Sequence, residues 1–402
     1  MAKKIKLSFA ALAESKKAVM IRSAKRFPTV SPRLAIGFVF LILSIQYGGW
    51  VARIAEAQLA LSLNKTQLGF SLLGMSVGAI VMTIISGALL SRVSPGWATV
   101  ISTLFFCIAI TLPSFAWNQL SLTLALFTLG IGNGAMNVSM NAAAAVAENT
   151  YQIRVMPFAH AMYSMGLVLG ALLAAALTAM GISLAAHLVL LAIVMGLLTL
   201  LIQPSITELP SQYIPGRRVF ALPSRGLVLL SAMSGCYVLG EGAMADWSSV
   251  YLKTEMGVRP SLAGFGFAGF AACMALGRFN SNRLRQWLGV KRLILVGSGI
   301  AIAGLVIVAL SGVLWLTLIG FALVGLGLSV IVPIIYANSA VQKGVPAGVG
   351  IAAVSTAGII AQLLGRPVIG ALGDQFGLEA GLLLISVALL LGAILAYKAT
   401  WL

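Results

Sequence analysis

The chain has 402 residues, 60% of them hydrophobic and only 9% charged, and its 26 Lys and Arg against 9 Asp and Glu leave a net charge of +17. Soluble domains carry about 25% charged residues. With a mean hydropathy of +1.04, this composition excludes a water-soluble globule, because no internal core could absorb so much apolar surface.

Residues 1–33 come first and are strongly basic: Lys3, Lys4, Lys6, Lys16, Lys17, Arg22, Lys25 and Arg26 alternate with Ile5, Leu7, Phe9, Leu12 and Val19. The pattern fits a basic amphipathic helix on the anionic inner leaflet or an organelle-targeting segment. It fits a disordered tail as well. The apolar run of a secretory signal is absent.

From residue 34 onward, apolar stretches follow one another with short polar breaks: roughly 34–54, 67–90, 98–116, 120–146, 157–180, 183–202, 226–250, 260–282, 291–311, 314–338, 347–372 and 379–398. A bilayer core about 30 Å thick needs about 20 residues of helix at 1.5 Å each, so the spacing predicts twelve transmembrane helices. The stretches are too long and too uniformly apolar for barrel strands. Of the basic residues, Lys65, Lys253 and Arg259 fall on one side of such an arrangement and Arg53 and Arg366 within spans. All others share the side of the amino terminus. The positive-inside bias then predicts a multi-pass inner-membrane protein with both termini cytoplasmic, and the charge is an orientation signal with no nucleic-acid partner implied. Cys107, Cys236 and Cys273 sit inside spans with no pairing or metal spacing.

The longest polar interruption, Gln203 to Arg225, holds Pro204, Pro210, Pro215, Pro223, Arg217 and Arg218. It predicts a cytoplasmic linker over 203–225 between a six-helix bundle at 34–202 and a second at 226–402. Gly130-Ile131-Gly132 recurs as Gly325-Leu326-Gly327, and at the same offset Gly170 meets Gly365. Duplicated halves are a common construction of secondary transporters, with the substrate site between the repeats. Glycines such as Gly74, Gly78, Gly166 and Gly170 predict close helix contacts.

Two six-helix halves, a basic central loop and glycine-rich fourth, fifth, tenth and eleventh spans resemble the major facilitator superfamily. Its loop signature Gly-x-Leu-x-Asp-x-x-Gly is degraded to Gly87-Ala88-Leu89-Leu90-Ser91-Arg92, and Gly277-Arg278-Phe279 with Gly289-Val290-Lys291-Arg292 resembles the second copy without its acid. Gly370-Ala371-Leu372-Gly373-Asp374-Gln375-Phe376-Gly377 fits the related pattern in full. The stretches from Glu241 to Trp247 and from Pro157 to Gly166 resemble a bacterial inner-membrane branch of unassigned substrate related to fucose-type permeases. The resemblance implies an all-α fold of two pseudo-symmetric bundles, with the seventh span lining a central cavity.

Ionisable groups inside a bilayer cost about 2.5 kcal/mol or more and are candidates for function. Glu241 leads: Tyr237, Glu241, Met244 and Ser248 share a helix face, and a carboxylate in a water-accessible passage can exchange protons. A structural Glu bonded to a neighbouring helix is the alternative. Gln46, Trp50 and Arg53 share a face of the first span. Arg53 and Asp246 both lie near the outer ends of their spans, which predicts an outer gate in which Arg53 pairs with Asp246 or Glu241 across the interface between halves, with snorkelling of Arg53 as the rival. Asn133, Asn137 and Asn141 form a polar stripe on the fourth span, suited to hydroxyl-rich cargo or to interhelical bonding. His160, Tyr163 and Ser164 cluster on the fifth; a His with an ordinary pKa near 6.5 suits a proton shuttle or a packing role. Arg366 would attract an anion or pair with an acid, and His187 reads as structural. No phosphate-binding Gly-rich loop ending in Lys-Ser or Lys-Thr, metal-ligand set or nucleophile constellation is present, so no cofactor and no enzyme chemistry are expected.

These features predict a monomeric secondary active transporter that moves a small polar solute, a sugar or organic anion, by alternating access with proton-coupled uptake. Gly166-Leu167-Val168-Leu169-Gly170 continues with Ala171 where the antiporter pattern of the resembled family has Pro. Alternatives are proton-driven efflux of drugs or metabolites and a non-transporting membrane sensor or scaffold.

Overall fold

The computed structural model describes residues 30–90, 92–209, 227–342, 345 and 347–399. The basic segment up to residue 29, most of the linker and Ser91 of the degraded loop signature lie outside the described residues.

The described chain is all-α, with twelve helices long and apolar enough to cross a bilayer. In order they are Pro32–Val51, Lys65–Ser86, Pro95–Phe115, Gln119–Tyr151, Met156–Ala179, Leu184–Thr207, Val228–Thr254, Pro260–Phe279, Val290–Ser311, Leu314–Ala340, Val349–Phe376 and Leu378–Lys398. The predicted stretches match all twelve. Two short helices accompany them, Ile54–Ala60 after the first span and Ser281–Leu288 after the eighth. The tenth span is broken into Leu314–Leu328 and Ile331–Ala340.

Local chemistry sets several helix starts. Ser31, Ser94 and Ser183 accept the backbone N–H three residues ahead, at 3.4, 3.4 and 3.2 Å. Asn118 and Ser121 form a reciprocal cap, with Ser121 N donating to Asn118 Oδ1 at 2.8 Å and Asn118 N donating to Ser121 Oγ at 3.0 Å. Pro occupies the first turn at Pro32, Pro95 and Pro260, where its missing N–H costs nothing. The sixth span departs from the expected linker start at Gln203 by running through Pro204 to Thr207. Ile202, Ser205 and Ile206 are buried there, and Ser205 Oγ accepts Val30 N at 3.3 Å. Packing holds the last turn beyond the proline.

Because the spans alternate in direction, the start of the first and the end of the twelfth lie on one face, called here the terminal face. Lys291 Nζ donates to Ala399 O at 3.3 Å on that face. The loops around Lys65, Glu255 and Gly377 lie on the opposite, far face.

The duplication seen in the glycines extends to their neighbours. A side-chain carbon on Gly130 would lie 2.9 Å from Met75 Cα of the second span, and one on Gly325 would lie 3.0 Å from Phe270 Cα of the eighth. Gly132 faces Phe106 Cα at 3.3 Å and Gly327 faces Ala301 N at 2.7 Å by the same measure. Both partners in each contact shift by one offset, so the second and fourth spans pack as the eighth and tenth do. In lipid no hydrophobic force drives helix association, and close backbone approach supplies the attraction instead.

Replacing Gly130 or Gly325 with Val should therefore lower stability by about 1–3 kcal/mol through overpacking. Gly196, which has nothing within 4 Å of the added carbon, should tolerate Ala. Thermal melting in neutral detergent checks this, and equal melting of all three variants would refute the packing argument.

Candidate functional site

The halves meet through the second span against the eleventh and the fifth against the eighth. At the far face this contact is tight. A side-chain carbon on Gly69 would lie 3.0 Å from Pro367 Cα, and one on Gly370 would lie 3.1 Å from Thr66 Cα. Asp374, at the end of the eleventh span, caps the start of the second: it accepts Lys65 N at 2.9 Å, Thr66 N at 2.8 Å and Thr66 Oγ1 at 2.6 Å. A carboxylate at a helix amino end satisfies orphan N–H groups and offsets the positive end of the helix dipole. Lys65 Nζ adds an ion pair to Glu255 at 2.5 Å and a bond to Gly373 O at 2.9 Å.

Beneath this seam lies a buried ion pair. Arg366 Nε donates to Asp246 Oδ2 at 2.7 Å and Nη2 donates to Oδ1 at 3.2 Å. Nη1 donates to Leu72 O at 2.9 Å and also to Ser76 Oγ. The eleventh span thus holds the seventh and the second at once, across the interface between halves. Arg366 and Asp246 are only 4% and 3% exposed, a burial that charges tolerate when they are paired and further hydrogen-bonded.

Below the pair, toward the terminal face, a cavity of about 290 Å³ opens between the halves. Tyr47, Tyr163, Ser164 and Leu167 line it from the first half. Val238, Glu241, Gly242, Ala245, Phe267, Phe270, Arg278 and Gln362 contribute from the second. The lining residues of the seventh span recur at helical spacing and define the face turned to the cavity. Glu241 Oε1 lies 3.5 Å from Arg278 Nη2 and has no hydrogen-bond partner. Arg278 Nε donates to Ser329 O of the tenth span at 3.3 Å. The cavity therefore carries a loosely apposed acid and base, two phenols, a hydroxyl, an amide and two phenylalanine rings.

Residues 34–358 match the sequence profile of the Major Facilitator Superfamily. The chain belongs to the major facilitator superfamily. It is 28% identical over 367 residues to an uncharacterised MFS-type transporter of Yersinia pestis, covering 90% of this chain and 95% of that protein. It is also 28% identical over 354 residues to the membrane protein MosC of Rhizobium meliloti, covering 87% and 86%. Among solved structures, a mutant form of the nucleoside transporter NupG superposes with a TM-score of 0.76 at 11% identity, covering 91% of this chain and 99% of that one. A bacterial homologue of the human lysosomal transporter Spinster, inward-facing and occupied, gives 0.70 at 16% identity, covering 91% and 95%. The protein is a membrane transporter of the facilitator type, and these neighbours share its fold.

Within this transporter the expected site residues part ways. Glu241 and Tyr163 face the central cavity, joined by Ser164. Tyr237, expected beside Glu241, is instead fully buried in the second bundle, its hydroxyl 2.8 Å from Ser298 Oγ. It stands four residues before Glu241, just far enough around the helix to reach the ninth span. Gln46 and Trp50 are likewise buried, Gln46 Nε2 donating to Ile42 O at 3.1 Å and Cys107 Sγ at 3.5 Å. The neighbouring Tyr47 takes the cavity position. His160 lies outside the cavity lining with its ring edge on Phe40, centroids 5.3 Å apart. Asn133, Asn137 and Asn141 also stand outside that lining, and Asn141 Nδ2 donates to Asn137 O at 2.8 Å.

The expected pair of Arg53 and Asp246 does not form. Arg53 Nε donates to Glu56 at 2.7 Å, and its other nitrogens donate to Ile182 O at 2.9 Å and Ser183 O at 3.3 Å. It fastens the turn between the fifth and sixth spans, while Asp246 is held by Arg366. Arg278 and Gln362 also line the cavity, and sequence alone does not mark them: Arg278 lies at a span end, where an arginine reads as a surface charge.

Removing one member of the buried pair leaves the other uncompensated. Arg366→Gln should lower stability by about 3–5 kcal/mol, and Asp246→Asn in the same chain should recover part of it. An unchanged melting temperature for Arg366→Gln would contradict the assignment.

Proposed function

We propose that this transporter is a proton-coupled symporter that takes up a small hydroxylated solute of sugar-like chemistry through the cavity between its halves. The observation that carries the reading is Glu241 in that cavity with a carboxylate oxygen that accepts no hydrogen bond and only loosely faces Arg278, at 3.5 Å. A carboxylate with free acceptor capacity recognises paired hydroxyls, the Gln362 amide and the Ser164, Tyr47 and Tyr163 hydroxyls extend the set, and the Phe267 and Phe270 rings offer an apolar wall. The volume, at the lower end of the about 300–1,000 Å³ common for small-molecule sites, suits a monosaccharide-sized molecule. An organic anion is the weaker fit, since Asp246 neutralises Arg366 and the cavity keeps an acid of its own.

Among the described residues, Glu241 is the only Asp or Glu in the cavity lining. Proton uptake there removes its attraction for Arg278 and so loosens the seventh span from the eighth. The basic residues of the terminal face support an inner-membrane orientation with both termini cytoplasmic. The far-face closure then corresponds to an inward-facing state.

In proteoliposomes, Glu241→Gln should abolish proton-driven accumulation while sparing exchange of preloaded solute. Accumulation at the wild-type level would remove Glu241 from coupling. Absence of flux by the wild-type chain across a panel of sugars, polyols and organic acids would favour the sensor reading.

A further inference from the structure

A second cavity, of about 250 Å³, opens at the terminal face where the eighth span leads into the short helix Ser281–Leu288. Arg278, Ser281, Asn282 and Arg285 line it, with the break in the tenth span at Ser329, Val330 and Pro333 opposite. Ser281, Asn282 and Arg285 share one side of the short helix, and Arg278 joins them from the end of the eighth span. All four can donate hydrogen bonds, two as guanidinium groups, and among the described residues no Asp or Glu contributes to the lining. A cup of donors whose lining holds no acid selects a multi-oxygen anion, which arginine forks bind with two bonds each.

The surroundings point to where that anion comes from. In the short helix Leu284 and Leu288 pack against the core while Arg283, Arg285 and Trp287 are exposed. The short helix is thereby held to the protein by its leucines and presents basic and aromatic side chains outward at the terminal face. Phe279 and Trp287, 88% and 82% exposed, are near neighbours in sequence of the lining residues Arg278 and Arg285, and Leu276, 60% exposed, precedes them on the eighth span. Exposed aromatic rings at a span end mark the headgroup level, and exposed Leu276, about one turn deeper in the eighth span, is an apolar side chain that an acyl chain can meet. Basic pockets between spans at this level bind anionic headgroups.

We propose that this cup binds the phosphate of an anionic membrane phospholipid, with Arg285 and Arg278 as its two forks. Arg278 also borders the central cavity and faces Glu241 there, so the headgroup and the acid draw on one guanidinium. Lipid binding is independent of whether any solute is carried, and its test does not use flux.

Full-length protein is exchanged into nanodiscs of equal phosphatidylglycerol and phosphatidylcholine, extracted in neutral detergent, and the retained lipid read by native mass spectrometry. The wild type should retain phosphatidylglycerol over phosphatidylcholine. Arg285→Gln should lower that retention roughly fivefold, the effect of one basic side chain near an anionic surface, and Arg285→Lys should keep most of it. Melting of Arg285→Gln at the wild-type temperature confirms that the fold is intact; if it melts lower, Asn282→Ala replaces it with the same expected direction. Equal retention by wild type and variants, or no preference over phosphatidylcholine, would overturn the proposal. Displacement of the lipid by millimolar inorganic phosphate would assign the cup to a free anion and overturn the lipid as its occupant.

Discussion

The guanidinium of Arg366 does what no apolar contact in this molecule can. It carries a full charge below the far-face seam, takes both oxygens of Asp246 from its own half and reaches a backbone carbonyl of the other. In hydrocarbon such a group is tolerable only when its donors are satisfied, so the two halves are tied wherever that satisfaction is found. The glycines above it, Gly69 and Gly370, let the second and eleventh spans approach closely enough for the tie to close. Asp374 then seals the rim by capping a helix that belongs to the opposite half. Charge, cap and backbone contact act at one end of the interface, and the cavity opens below them.

The cavity differs in kind from this seam. Its acid and base are loosely apposed and only partly shielded from water, 37% exposed at Arg278 and 23% at Glu241 for the ion-paired side chains. A tight bidentate pair holds a conformation, whereas an incompletely satisfied one leaves binding capacity for an incoming group. The same distinction separates Arg53, whose donors are taken by Glu56 and two carbonyls, from Arg278, which is shared between two cavities.

Periodicity and composition made the fold legible. Twelve apolar stretches of span length, the central polar break and glycines recurring at one offset correspond to twelve helices and two bundles packed by matching contacts. The site was legible only in part. Glu241 stood out because an acid in an apolar helix is rare. Gln46, Trp50 and Tyr237 are buried outside the cavity lining, which the sequence does not reveal: helical spacing tells which residues share a face but not what that face meets, and a polar side chain packed against a neighbouring helix has the same spacing as one facing water. The partner of Asp246 was hidden for another reason: Arg366 lies 120 positions away, and only the packing of the eleventh span against the seventh brings them together.

At the offset that relates the halves, Gln46 is the counterpart of Glu241. One bundle keeps there an amide bonded to its own helix, and the other an acid facing the cavity. Among the described residues, the first half lends the cavity no Asp, Glu, Lys, Arg or His. The bundles are twins as scaffolds and unlike where they face each other: among the described residues, the charged side chains that line the cavity, Glu241 and Arg278, both belong to the second half.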